Sequence, residues 1–169
     1  LVCDEKYAAP KWLDGGIIYH IFVDRFCKGS KVVPVRDDVV MLDWDKDLPE
    51  YPVKPGAFLR NNTFFGGTLW GVAEKLDYLK ELGVSCIYLS PVFKAYSNHK
   101  YDTGDYMQVD EMFGGDAALE NLFKEGKKRG IGVILDGVFN HVGDDSVYFD
   151  KYGKYGGNGA YSGKKSTYY

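Results

Sequence analysis

The 169-residue chain has few cysteines and histidines, no long hydrophobic run and no strong excess of charge. Its three cysteines are odd in number and form no Cys-x-x-Cys pair, which predicts unpaired thiols. The longest apolar stretches, residues 17–22 and 131–138, have the length of strands and fall far short of the roughly 20 residues of a membrane span. A net charge of −3 without a long basic cluster gives no indication of a nucleic-acid partner.

The chain also lacks an initiator Met and the basic-then-apolar layout of a signal peptide. We therefore expect it to be part of a longer protein, and the sequence leaves the cellular location open. What the sequence does contain is 45% apolar and 16% aromatic residues, the composition of a globular domain with a sizeable core.

Three apolar segments have the length and composition of β-strands: residues 17–23, 84–89 and 131–135. The third is apolar throughout, which predicts a strand buried on both faces. The stretch from residue 24 to residue 67 carries four prolines and few periodic apolar positions, so we predict a loop there, and a second loop after the second strand.

Two helices are predicted between these strands. Residues 69–82 repeat Leu and Val at three- and four-residue spacing, with Thr68 as the cap and Gly83 after the last turn. A second helix is predicted to begin with Asp116 as its cap and to end at Gly130. The resulting order is β-loop-α-β-loop-α-β.

Strands that alternate with helices predict a parallel sheet with right-handed crossovers. The loops that leave the strands are long and the helix-to-strand turns are short, as in (β/α)-barrels, whose sites lie at the carboxyl ends of the strands. We predict an α/β chain that supplies about the first three strands and two helices of a TIM (β/α)8 barrel. Residues 1–14 are predicted to be a linker, residues 15–136 the three β/α units, and residues 137–169 the start of a loop or small domain inserted after the third strand.

Polar clusters follow all three predicted strands and therefore fall on one face of the sheet. Each cluster alone has a structural explanation, such as a satisfied polar group at a strand end or a loop histidine, but their convergence indicates a functional site. The clusters are Asp24 with Arg25, residues 99–102 (HKYD), and Asp136 with Asn140 and His141.

Five segments in these regions stand out: residues 19–26 (YHIFVDRF), 65–68 (FGGT), 75–79 (KLDYL), 97–106 (SNHKYDTGDY) and 136–141 (DGVFNH). In this order and at this spacing they resemble the α-amylase family of glycoside hydrolases. The resemblance is greatest to its neopullulanase, cyclomaltodextrinase and maltogenic amylase branch, and it covers nearly all of residues 12–141.

The resemblance implies a retaining hydrolase of α-glucosidic bonds in starch, maltodextrins, pullulan or cyclodextrins. Asp136 matches the family position that supports the catalytic centre, and Tyr101 matches the tyrosine that stacks under the sugar in the −1 subsite. His99 and His141 match positions that contact the substrate, and Asp102 is a candidate acceptor for a sugar hydroxyl or a partner for an arginine elsewhere. In the family the nucleophile and the acid follow later strands, so we expect the catalytic carboxylates beyond this chain's end and expect the segment alone to be inactive.

We expect no cofactor, and the resemblance leaves calcium as the one possible ion. Asn140 matches a position that binds calcium in many α-amylases, but that site would need ligands from beyond the end of this chain, so the sequence leaves it undetermined. The neopullulanase branch often has a second calcium loop, but none of the five corresponding positions offers the carboxylate that calcium favours. We therefore predict that this loop site is absent; the five positions are Lys28, Ser30, Val33, Pro34 and Thr68.

Other functional classes fit less well. A metal-dependent amidohydrolase barrel would need His-x-His at the end of its first strand, where the sequence has Tyr19-His20-Ile21-Phe22. A phosphate-binding loop near Gly163-Lys164 lacks its first glycine and its Ser or Thr.

A non-catalytic relative that keeps the barrel as a scaffold or as a carbohydrate-binding protein is the remaining alternative. A scaffold has no need of the substrate-facing Tyr101, Asp136 and His141, so their presence favours an enzyme. The expected partner is an α-glucan or maltooligosaccharide substrate. The open edges of the first and third strands also require cover from the rest of a barrel or from a partner chain.

Overall fold

The computed structural model describes residues 10–168, so Cys3 and most of the predicted linker lie outside the described residues. Single turns of 3-10 helix lie at Val23–Arg25, Glu111–Phe113 and Ala160–Ser162. The strands and α-helices in chain order are β1 Ile17–Ile21, β2 Val40–Met41, β3 Thr63–Phe64, α1 Leu69–Glu74, α2 Leu76–Glu81, β4 Val84–Leu89, β5 Phe93–Ala95, β6 Thr103–Val109, α3 Gly115–Arg129 and β7 Gly132–Leu135.

The main sheet contains β1, β4 and β7 in that order, and both pairings are parallel, as predicted. Ile21 is level with Leu89, and Leu89 is level with Leu135, so the carboxyl ends of the three strands meet at one edge. The central strand β4 is the most buried of the three because it has a neighbour on each side. The prediction that the third strand is buried on both faces is wrong for this chain: all four residues of β7 are half-buried, since β7 is an edge strand.

The helical segment after the first loop packs its apolar face on this sheet. Leu69, Val72, Leu76 and Leu79 are fully buried, in agreement with the spacing seen in the sequence. The segment forms two helices instead of the single one predicted, because Lys75 leaves the helical region at φ −95° and ψ 3°. No proline or glycine marks this break in the sequence.

The start of α3 also differs from the prediction. Gly114, in the left-handed conformation at φ 102°, is the N-cap, and Asp116 lies inside the first turn. Asp116 accepts a hydrogen bond from the Val109 amide at 3.1 Å, so its side chain ties the helix to the end of β6. The preceding 3-10 turn is capped by Asp110, which accepts from the Met112 amide at 2.9 Å.

Both predicted loops contain short strands. The first holds β2 and β3, which form a parallel pair, and β1 ends at Ile21, two residues earlier than predicted. The second holds β5 and β6, an antiparallel hairpin with two register shifts. The pairs β2–β3 and β5–β6 are separate from the main sheet.

Residues 137–168 consist mostly of turns. The segment is anchored on the hairpin, because the Gly143 amide donates to the Thr103 carbonyl at 2.9 Å and the Val147 amide donates to the Gly104 carbonyl at 3.0 Å. No helix among residues 10–168 is long and apolar enough to cross a membrane. Cys27 and Cys86, the two cysteines in this part of the chain, form no disulfide within residues 10–168, in agreement with the predicted unpaired thiols.

Asp24 lies inside the protein and not on the predicted polar face. Its fully buried carboxylate accepts from the amides of Phe65 and Gly66 at 3.0–3.1 Å and from Arg25 Nε at 2.8 Å. A Cβ atom on Gly67 would lie 2.0 Å from the Val23 carbonyl oxygen, so only glycine allows this close approach. Asp24 thus joins the end of β1 to the segment between β3 and α1.

We predict that Asp24→Asn lowers the free energy of unfolding of the full-length protein by about 1–3 kcal/mol, because the new NH2 group would face donors in a buried site. Denaturant unfolding measures this change. The exposed Asp37→Asn in the same loop is the matched control and should be neutral. Equal stability of the two variants would contradict the anchoring role of Asp24.

Candidate substrate-binding site

The candidate site begins where the three parallel strands end. The Ser90 amide donates to the Ile21 carbonyl at 3.0 Å, and the Asp136 amide donates to the Leu89 carbonyl at 3.2 Å. These bonds continue the sheet by one residue and fix the backbone of Asp136 at its carboxyl edge. The sheet therefore determines the direction in which the Asp136 side chain leaves the backbone.

Tyr101 and Asp136 are brought together from two different loops. The Tyr101 hydroxyl donates to Asp136 Oδ2 at 2.9 Å. Tyr88 of β4 faces the same carboxylate, and its hydrogen bond to Asp136 raises the pKa of the Tyr88 phenol. Burial, and next the bond to Asp136, raises the pKa of Tyr101. Both phenols therefore stay protonated at neutral pH, and the Tyr101 hydroxyl remains a donor to Asp136.

His99 lies beside Tyr101. The Tyr101 amide donates to His99 Nδ1 at 3.1 Å, and the two ring centroids are 5.9 Å apart. Burial lowers the pKa of His99, against the opposing effect of the Asp102 charge, so the imidazole is neutral at neutral pH. With Nδ1 as the acceptor, Nε2 carries the proton and is the ring nitrogen that is available as a donor.

Asp102 stabilises the loop that carries His99 and Tyr101. One of its carboxylate oxygens accepts from the Ser97 amide at 3.1 Å, and the other accepts from the Ser97 hydroxyl. These two bonds use part of the capacity of the Asp102 carboxylate to accept hydrogen bonds. A role for Asp102 toward a sugar hydroxyl or an arginine stays a prediction.

His141 and Asn140 lie on an exposed part of the loop after β7. The Tyr106 hydroxyl donates to the backbone carbonyls of Val138 and His141, which ties this loop to β6 through backbone atoms only. No hydrogen bond within residues 10–168 joins the side chain of His141 or Asn140 to Tyr101 or Asp136. Their substrate and calcium roles stay predictions.

Sequence reasoning missed a buried ion pair beneath the site. Lys100, between His99 and Tyr101, is fully buried and has a positive φ of 61°. Its ammonium donates to Asp110 Oδ2 at 2.6 Å and to the Ala95 carbonyl at 3.2 Å. The ammonium lies about 5 Å from the ring centroids of Phe64 and Phe113. Burial lowers the pKa of Lys100, and the charge of Asp110 opposes that effect.

The ion pair leaves the side chains of His99 and Tyr101 on the opposite side of the backbone from Lys100. Because Lys100 points into the core, its neighbours His99 and Tyr101 face the carboxyl edge of the sheet. Lysine is rarely buried without a partner, and its hydrophilic character gives no signal of burial in the sequence. The only feature of the sequence that could have drawn attention to Lys100 was its position inside the segment of residues 97–106.

A second missed contact joins β1 to the site. His20 Nε2 lies 2.8 Å from the Ser90 hydroxyl, and the His20 ring packs edge-on against Tyr88 with centroids 5.4 Å apart. Tyr88 in turn contacts Asp136, so β1 reaches Asp136 through these side chains. His20 occupies the penultimate position of β1. This place near the end of a strand is the feature of the sequence that could have predicted a contact with the site.

The loop after β1 offers a poor donor set for calcium. Thr68 Oγ1 donates to the Lys28 carbonyl at 2.7 Å and accepts from the Gly71 amide at 3.0 Å, as a helix cap. The Ser30 hydroxyl donates to Glu74 Oε1. Calcium requires six or more oxygens, mostly carboxylates and carbonyls, and these side chains are already engaged with protein groups. The predicted loss of this calcium site stays a prediction that the donor chemistry supports.

A parallel β/α sheet with polar side chains converging at the carboxyl ends of its strands places this protein in the (β/α)-barrel class. The family model of the alpha amylase catalytic domain matches residues 20–169. The chain belongs to the α-amylase family, which confirms both the resemblance seen in the sequence and the predicted barrel architecture.

Individual relatives agree with this assignment. The chain is 46% identical over 174 residues to an amylopullulanase of Thermoanaerobacterium saccharolyticum, covering 95% of this chain and 14% of that protein. It is 41% identical over 145 residues to neopullulanase 2 of Thermoactinomyces vulgaris, covering 86% of this chain and 23% of that protein. The solved structure of the type III pullulan hydrolase from Thermococcus kodakarensis matches with a TM-score of 0.72 at 33% identity, over 93% of this chain and 27% of that one. The chain therefore spans a quarter or less of these two curated relatives.

We predict that Lys100→Met lowers the free energy of unfolding of the full-length protein by about 3–5 kcal/mol, because Asp110 is left buried without its partner. The double variant Lys100→Met/Asp110→Asn should be more stable than Lys100→Met alone, since it removes the unpaired charge. Denaturant unfolding of the single and double variants gives the coupling energy.

The exposed pair of Lys46 and Asp43, 3.6 Å apart, is the control for this measurement, and Lys46→Met should cost at most about 1 kcal/mol. If the effects of Lys100→Met and Asp110→Asn simply add, the two side chains do not form the coupled pair described above.

Proposed function

We propose that the full-length protein is a retaining glycosidase that hydrolyses α-glucosidic bonds of starch, maltodextrins, pullulan or cyclodextrins, and that this chain supplies part of its substrate-binding site. The contact between the Tyr101 hydroxyl and Asp136, 2.9 Å across two loops, is the observation that carries the proposal. It places an aromatic platform beside a fixed carboxylate at the edge where barrels bind ligands. Membership of the α-amylase family and the names of the relatives support the proposal.

The proposed division of roles follows from the chemistry of a sugar. A glucose ring has an apolar face, which packs against the Tyr101 ring, and hydroxyl groups, which pair with polar side chains. His99 donates from Nε2, and His141 contributes a further hydrogen bond from the loop after β7. Asp136 accepts from the Tyr101 hydroxyl, so it orients the site and is a poor candidate for a nucleophile.

Hydrolysis with retention needs a carboxylate nucleophile and a carboxylic acid about 5–5.5 Å apart. We assign neither role to a residue of this chain and expect both from other parts of the full-length protein. The same parts, or a partner chain, would cover the open edges of β1 and β7. Ile17 and Ile18 of β1 are half exposed in the described residues, so cover at this edge would bury apolar surface.

The test is release of reducing sugar from soluble starch, pullulan and β-cyclodextrin by the full-length protein and by the 169-residue chain. We expect activity in the full-length protein and none in the chain alone, with the preference among the three substrates defining the linkage that is cleaved. Activity of the chain alone would overturn the assignment of roles. A full-length protein inactive on every glucan would instead support the non-catalytic, carbohydrate-binding alternative.

Tyr101→Ala in the full-length protein should reduce kcat/KM at least about fivefold, because the sugar loses its stacking partner. Tyr101→Phe is the matched control: it keeps the ring, loses only the bond to Asp136, and should retain more activity than Tyr101→Ala. Unchanged kcat/KM in Tyr101→Ala would exclude the stacking role.

A further inference from the structure

The segment of residues 137–142, which carries His141, has few polar contacts with the rest of the protein. Its two ends are held, because the Asp136 amide continues the main sheet and the Gly143 amide bonds to the β5–β6 hairpin. Within residues 10–168, the only hydrogen bonds to the six residues between those ends come from one side chain, the Tyr106 hydroxyl on β6. The backbone of His141 is therefore held by a single phenol.

The Tyr106 hydroxyl serves two carbonyl groups of this segment. It donates to the Val138 carbonyl and, at 3.1 Å, to the His141 carbonyl. The two carbonyls are three residues apart, and the chain bends at Asn140 between them. A donor shared by both carbonyls closes this bend. Because a carbonyl lies in the plane of its peptide bond, the contact also restricts the backbone at His141, from which the imidazole extends.

The ring of Tyr106 is itself fixed by its neighbours. It contacts the rings of Phe93, Phe139 and Tyr148, with centroids 6.4, 5.7 and 5.4 Å away, separations at which aromatic pairs attract each other. The Tyr106 amide donates to the Tyr148 hydroxyl at 3.0 Å, and that hydroxyl donates to Asp105 Oδ1 at 3.3 Å. The phenol therefore cannot turn away from the 137–142 segment without breaking several contacts.

The His141 side chain has no such support. It is exposed, and it makes no hydrogen bond in the part of the chain that the structure describes. Ordering a free side chain when a ligand binds costs about 0.5–1.5 kcal/mol, and this cost falls when the backbone already directs the side chain. The hold on the His141 backbone is thus a means of preparing the imidazole for a ligand.

We propose that Tyr106 is a positioning residue, whose hydroxyl holds the backbone of the 137–142 segment so that His141 meets the sugar bound on Tyr101. The inference rests on the proposed function and adds to it a residue that acts through two carbonyl groups and touches no substrate.

Tyr106→Phe in the full-length protein keeps the ring and removes only the hydroxyl. We expect kcat/KM for the preferred of the three glucans to fall about threefold to tenfold, the range of the net contribution of one hydrogen bond. In a His141→Ala background the same substitution should have no further effect, because no imidazole is left to position. Equal effects in the two backgrounds, or an unchanged kcat/KM in His141→Ala alone, would overturn the proposal.

Tyr148→Phe is the matched control. It removes the other hydroxyl of the same aromatic group, which bonds to groups of β6 and not to the 137–142 segment. It should leave kcat/KM unchanged even where it lowers the melting temperature as much as Tyr106→Phe does. A similar loss of activity in the two variants would assign the effect to the aromatic group as a whole and would also overturn the positioning role.

Crystal structures of the full-length wild type and Tyr106→Phe give a measurement that does not depend on activity. We expect the 137–142 segment to move, or to lose its single ordered position, in Tyr106→Phe and to stay in place in Tyr148→Phe. An unchanged His141 backbone in Tyr106→Phe would show that the phenol does not hold the segment, whatever the outcome of the glucan assays.

Calorimetric titration with maltotriose separates this proposal from the proposed function. If the full-length protein cleaves none of the glucans but binds maltotriose, and Tyr106→Phe weakens that binding about threefold to tenfold, the positioning role stands and the hydrolase proposal fails. Equal binding by the wild type and the variant would overturn the positioning role. If the protein neither binds maltotriose nor cleaves a glucan, both proposals fail.

Discussion

The buried ion pair between Lys100 and Asp110 fixes the loop that carries the candidate site. A lysine ammonium with no exposed surface is costly to desolvate. Three kinds of contact offset that cost: the ion pair with Asp110 at 2.6 Å, the hydrogen bond to the Ala95 carbonyl, and the faces of two aromatic rings. Asp110 also caps the 3-10 turn before α3. The same carboxylate therefore joins the hairpin, the helical layer and the backbone between His99 and Tyr101.

The site is assembled from separate loops by backbone geometry as well as by side chains. The parallel register brings the ends of β1, β4 and β7 level, and Asp136 continues the sheet by one residue. Tyr101 then reaches Asp136 from the hairpin side. Because Asp136 accepts from the Tyr101 hydroxyl, we propose that this chain contributes to sugar recognition and that other parts of the protein supply the pair of carboxylates that hydrolysis requires.

The sequence predicted the parallel β/α order, the buried face of the first helical segment and the convergence of Tyr101 with Asp136. These features follow from apolar periodicity and from polar residues at strand ends, which are local signals. The break at Lys75, the two small strand pairs and the inward direction of Asp24 depend on tertiary contacts that no local pattern encodes. Lys100 is the clearest case, since a lysine becomes a core residue only because Asp110 lies opposite it.

The central claim is that Tyr101 is the platform for a glucose unit at the carboxyl edge of the sheet. A crystal structure of the full-length protein with maltotriose bound tests it most directly. We predict a glucose ring stacked on Tyr101, with a hydroxyl within hydrogen-bond distance of His99 Nε2 and Asp136 still held by the Tyr101 hydroxyl. Maltotriose bound in another part of the protein, with Tyr101 free of sugar, would contradict the account.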